Sequence, residues 1–130
     1  MAETFTGIKI KELDDAASGP SGEGALHRLV LKLSHRAPGL WADYFNRAWN
    51  QHIYMMKRRA AVFGDTLEII CMPDELEKDH VPELNKVMAE TNEAYKRYIA
   101  DRERTRQAEE ERAKRQKQEL SELKSRLKFD

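Results

Sequence analysis

The pattern of apolar and polar positions changes period several times along the chain, and each change marks an element. Over Phe5–Leu13, Ile8 and Ile10 alternate with Lys9 and Lys11, the period of a half-buried strand. Asp14 to Gly24 collects Ser18, Gly19, Pro20, Ser21, Gly22 and Gly24, which predicts a mobile loop with nothing to pack. Leu26–Leu33 alternates again, with Leu29, Leu31 and Leu33 facing one way and Arg28, Val30 and Lys32 the other. The two strands are expected to pair across the loop, which is long for a hairpin and so a candidate functional segment.

The period then lengthens. Ser34–Pro38 leads into a helix, with proline where a missing N–H costs nothing, and Trp41, Phe45, Ala48 and Trp49 fall on one helical face. His52, Ile53 and Met56 would extend that stripe, so the helix is expected to end between Gln51 and Arg58. Phe63-Gly-Asp-Thr66 has glycine first in a two-residue loop, the signature of a type II′ hairpin. That loop sets Val62 opposite Leu67 and Ala60 opposite Ile69, so register and apolar pattern agree. Pro73 ends the pairing, and Glu75–Asp79 reads as a charged connector.

From Val81 to Leu127 the chain has no glycine, and no proline after Pro82, which predicts one long helix. Unbroken, it would run roughly 70 Å, against a globule of about 30 Å for the residues before it. Its far half is therefore expected to leave its own domain. Leu84, Met88, Tyr95 and Tyr98, with Val81, Val87 and Ile99, form a stripe fit to cover a sheet. Asp101–Glu119 has only Ala108 and Ala113 as apolar positions; a helix polar all round is held by pairs such as Glu110–Lys114, Glu111–Arg115 and Arg106–Glu110 or by nothing. Leu120, Leu123 and Leu127 then restore a stripe, with Phe129 beyond.

These elements predict an α+β fold in ββαββα order: a four-stranded, mostly antiparallel sheet with helices on one face and a long C-terminal helix projecting from the domain. Residues 1–100 form the globular domain and 101–130 a charged helical extension.

Charge and composition narrow the function. Twenty-three basic and 23 acidic residues cancel, so bulk charge does not mark a polyanion binder. Arg112, Lys114, Arg115, Lys117, Lys124, Arg126 and Lys128 nevertheless face only Glu119 and Glu122 within that run, a local positive excess. The single cysteine, Cys71, has no internal disulfide partner. The opening residues lack the basic and apolar stretches of a secretory signal, and no apolar run approaches the roughly 20 residues of a membrane span. A cytoplasmic protein without membrane contact is expected.

No chemistry-bearing motif stands out. His27, His35, His52 and His80 share no ligand spacing and Cys71 has no CxxC companion, so no metal site, cofactor or catalytic residue is predicted. Asp79, His80 and Glu83 are explained by the start of the long helix, and Cys71 by burial. GxxxxGK[ST], GxGxxG and GxSxG patterns are absent. The resulting expectation is a non-enzymatic assembly module whose C-terminal helix docks on a second copy or another protein through Leu120, Leu123 and Leu127. The alternative is a nucleic-acid-binding accessory protein using Lys57, Arg58 and Arg59, interleaved with Trp41, Tyr44 and Trp49, together with Arg112, Lys114, Arg115 and Lys117. A small enzyme with a cleft between the Asp14–Gly24 loop and the first helix is a third reading.

Overall fold

The computed structural model describes residues 5–129. It divides into two compact units, Phe5–Lys96 and the segment from Arg97 onward. The first is an α+β unit. Its strands β1 (Ile10–Pro20), β2 (His27–Leu33), β3 (Ala60–Phe63) and β4 (Thr66–Cys71) form one sheet in the order β1-β2-β4-β3. All three pairings are antiparallel.

The alternation read from β2 and the hairpin register both hold. Val62 pairs with Leu67 and Ala60 with Ile69 across the β3–β4 turn. Gly64 has a φ of 64° there, the positive value that a type II′ turn requires at its first central residue. Leu29 pairs with Ile69 and Leu31 with Leu67 across the sheet centre. Leu29, Leu31, Leu33, Val62, Leu67, Ile69 and Cys71 are consequently buried on one face. The other face carries the ion pairs Arg28–Glu68 (3.4 Å) and Lys32–Glu12 (3.7 Å).

Helix α1 (Gly39–Gln51) lays Trp41, Phe45 and Trp49 on the apolar face, with successive rings stacked at 5.7 and 6.2 Å between centroids. It stops at Gln51 because Lys57 returns to cap it. The Lys57 ammonium donates to the Trp49 carbonyl and, at 3.2 Å, to that of Asn50, which satisfies carbonyls at the C-terminal end of the helix. The Trp49 indole donates in turn to the Arg58 carbonyl (3.1 Å). Ile53 and Met56 are thereby left exposed, and do not extend the stripe.

Three stretches depart from the pattern, the first being residues 5–9, which precede β1 instead of opening it. The segment from Asp14 to Pro20 is strand, not loop. Pairing moves from Asp14–Val30 to Gly19–Arg28, five steps along β1 against two along β2, so the surplus forms a bulge. Ser18 closes it: its hydroxyl donates to the Asp14 carbonyl (2.7 Å) and accepts from the Val30 amide (2.9 Å). Only Ser21–Leu26 turns, with the Ser21 amide and hydroxyl both donating to the Leu26 carbonyl. A cleft between an Asp14–Gly24 loop and the first helix therefore loses most of the loop that was to form one of its walls.

The supposed connector is helical. A short turn α2 (Pro73–Glu75) runs into a π-helical turn (Leu76–His80) and then into α3 (Val81–Arg126). Pro82 supplies the physical reason for the wide turn: inside a helix its ring presses on the carbonyl four residues back and it has no N–H to donate. The Val81 amide instead reaches Leu76, five residues back. Asp79, His80 and Glu83 thus lie within a continuous helical path and not at its start. Within the first unit α3 buries Leu84, Val87, Met88, Thr91 and Tyr95; the Thr91 hydroxyl is satisfied by the Val87 carbonyl (2.8 Å).

Candidate functional site

The terminal turns of α3 carry an exposed apolar stripe. From Arg104 to Phe129 every residue is exposed. Leu120, Leu123 and Leu127 are 66%, 42% and 48% exposed. At about 100° per residue they lie within a sector of roughly 60°, which also takes in Gln116, with Ala113 about 20° beyond its edge. Glu119 and Arg126 flank this stripe, and with Gln116, Leu120 and Leu123 they line a shallow groove along the helix. The result is an apolar ridge with charged shoulders, the form a helix takes where it meets another helix.

Polar pairing concentrates upstream of that ridge. Arg106 binds Glu103 and Glu110 on its own helix, and Arg104 binds Asp101. The Arg106 guanidinium holds the Glu103 carboxyl below its ordinary value, and its own pKa rises in return. Arg106–Glu110 forms as expected. Glu110–Lys114 is not among the ion pairs of the described residues, since Arg106 has already engaged the Glu110 carboxylate, and Glu111–Arg115 is not among them either.

The candidate nucleic-acid residues divide into two sets. Lys57 is spent on capping α1 and sits 5.6 Å from the Trp49 ring centroid. Arg58 binds Glu75 (3.2 Å) and Arg59 binds Glu23 (2.9 Å). Trp41 and Trp49 are fully buried in the core, where they offer no face for a base to stack on. Arg112, Lys114, Arg115 and Lys117 are exposed on α3 and form no ion pair among the described residues. The structure does not bring the two sets into one unit.

A buried polar cluster, invisible in the residue pattern, ties the 52–59 segment to the α2–α3 path. His80 is fully buried, and its Nδ1 lies 2.7 Å from the Tyr54 hydroxyl; Nε2 has no partner among the described residues. Burial pushes the His80 pKa down and that of Tyr54 up to about 12. The phenol therefore stays protonated beside a neutral imidazole, and the two share a single proton across the bond. Glu75 accepts from the Met72 amide (2.8 Å), the main cause of its lowered pKa, and from Arg58. His52 lies 3.0 Å from Glu83. Burial raises the neighbouring Cys71 thiol to about 11, so it remains a thiol and a poor nucleophile. The sequence signal for this cluster was Pro73-Asp74-Glu75, a helix-start pattern lying eight residues before Val81.

No group of three or more His, Cys, Asp or Glu among the described residues is placed to hold a metal ion. No helix among them is long and apolar enough to cross a membrane. Comparison with protein-family models, with curated proteins and with solved structures finds no match to this chain.

Proposed function

We propose that this chain is a non-enzymatic assembly module that associates with a second copy of itself through the end of α3. The observation that carries the reading is the ridge formed by Leu120, Leu123 and Leu127, exposed on a segment with no other large apolar residue between Arg104 and Glu119. Covering such side chains is worth about 1.5–3 kcal/mol for each fully buried leucine, which favours pairing of the helix over solvation. The charged shoulders keep the segment soluble until it pairs. A cytoplasmic setting belongs to the same proposal, since a lone buried thiol suits a reducing compartment.

Light scattering and sedimentation of the full chain over a range of concentrations test it. The expected result is a concentration-dependent dimer that becomes monomeric in Leu120→Asp/Leu123→Asp/Leu127→Asp, with an unchanged near-ultraviolet spectrum from the buried tryptophans. A wild-type chain that stays monomeric up to millimolar concentration overturns it. Salt-sensitive binding of single-stranded RNA or DNA by that monomer, lost on neutralising Arg112, Lys114, Arg115 and Lys117, would support the nucleic-acid reading instead.

A further inference from the structure

We infer that the two copies run parallel and in register, each seam residue meeting its own counterpart; this rests on the self-association reading above. Ala113, Gln116, Leu120, Leu123 and Leu127 follow one another at alternating spacings of three and four, the a/d pattern of a two-helix seam. One step further upstream the same positions are Glu109 and Arg106. Arg106 is already bound to Glu103 and Glu110 of its own helix, so the seam opens there and pairing is confined to Ala113–Leu127.

Within that short seam the layers decide the orientation. Parallel and in register, Leu120, Leu123 and Leu127 make three leucine-on-leucine layers, and Gln116 meets Gln116, where two amides can bond to each other. Antiparallel, with a set against d, Leu120 meets Leu123 but each Leu127 lies against the amide of Gln116. That arrangement buries two leucines against polar groups and leaves the amides without their counterpart.

The shoulders fit the parallel arrangement at its apolar end. A residue just before an a position reaches the partner residue five places further on, so Glu119 faces Lys124 of the second copy, twice by symmetry. The same rule sets Arg112 near Lys117, a like-charge pair at the end where the seam opens. The antiparallel arrangement would trade these for Glu119–Arg126 and Lys117–Lys124. Charge alone is even between the two, and the leucine layers break the tie.

Gln116→Cys in the full chain tests the orientation, because the sole native cysteine, Cys71, is buried. Under mild oxidation a parallel pair brings the two introduced thiols within disulfide reach, and most of the protein should run as a covalent dimer on a non-reducing gel. In the antiparallel pair each thiol faces Leu127, roughly 16 Å along the helix from its counterpart, beyond the about 7 Å that a disulfide spans. A charge reversal supplies an independent reading. Glu119→Lys should weaken association several-fold, and adding Arg126→Glu should leave it weak if the copies are parallel but restore it if they are antiparallel. Dimers by light scattering without the covalent product, and rescued by Arg126→Glu, overturn the parallel arrangement and leave self-association standing. A monomeric wild-type chain overturns both.

Discussion

The side-chain amide of Asn46 pairs with both backbone groups of Val62, donating to its carbonyl (3.2 Å) and accepting from its N–H (2.8 Å). Val62 lies on an edge strand, so α1 supplies the partner that a fifth strand would otherwise offer and closes that edge. The opposite end of the sheet repeats the device. Asn92 on α3 bonds the N–H and the carbonyl of Ile8, just before β1, at 3.0 Å each. Two hairpins each followed by a helix, with β2 and β4 paired at the centre and each helix clasping the other hairpin's outer side, describe a twofold topological repeat. Its halves differ by the Pro73–His80 lead-in before α3.

Asn92 has the heavier duty of the two, because its carbonyl oxygen also accepts from the Trp41 indole (2.9 Å). Asn92→Ala should strand three partly buried groups and lower stability by about 3 kcal/mol, while Asn46→Ala strands two and costs about 2 kcal/mol. Urea denaturation followed by tryptophan fluorescence measures both. Midpoints within error of wild type would show the two clasps to be idle.

Acid should weaken the first unit through His80. Its pKa in the folded protein is depressed by burial below the ordinary 6.5, so below pH 6.5 the unfolded chain binds a proton that the folded chain refuses. Stability is then full above pH 6.5 and falls as pH drops toward the folded value, by at most about 1.4 kcal/mol per pH unit for one proton. Glu75, whose pKa is lowered from 4.5 by the Met72 amide and Arg58, adds a loss of the same sign below pH 4.5. Urea midpoints between pH 7.5 and 5 should fall for wild type and stay flatter for His80→Gln. Parallel slopes would remove His80 from the account.

Cys71 should behave as a thiol sealed in the core. With its pKa raised to about 11 and its side chain fully buried, labelling by a chromogenic disulfide at pH 8 should be slow in the native chain and fast once urea unfolds it. Immediate labelling of the native protein would contradict the burial.

Amide hydrogen exchange should vary along α3 in three steps. Leu84–Tyr95 is protected by the core, the polar turns after Asp101 exchange fast, and protection recovers over Ala113–Leu127 only where the seam is paired. At high protein concentration the terminal leucines should therefore exchange more slowly than Arg104–Arg112. Leu123→Asp should abolish that recovery. A monotonic rise in exchange toward the C-terminus at every concentration would speak against a paired seam.

Much of the first unit was legible in the residues. Gly64-Asp65 announced the β3–β4 turn, and the spacing of Trp41, Phe45 and Trp49 announced the buried face of α1. The misread parts share one cause. Ser18-Gly19-Pro20 looks like loop because the bonds that make it strand, from Ser18 to Asp14 and Val30, join residues that no local period connects. Pro82 looks like a helix start because the π-helical turn that accommodates it leaves no mark in the hydrophobic pattern.

By itself, the sequence determined whatever depends on neighbours a few positions away: strand alternation, the glycine-led turn, the amphipathic helix, the leucine ridge. Steric limits on φ and ψ and the two side-chain periods act locally, so they can be read locally. Only the tertiary structure decided where isolated polar residues go. Asn46, Asn92, Glu75 and His80 resemble surface positions until the fold half-buries the first two and buries the others, which obliges each to find a partner from a distant stretch of chain.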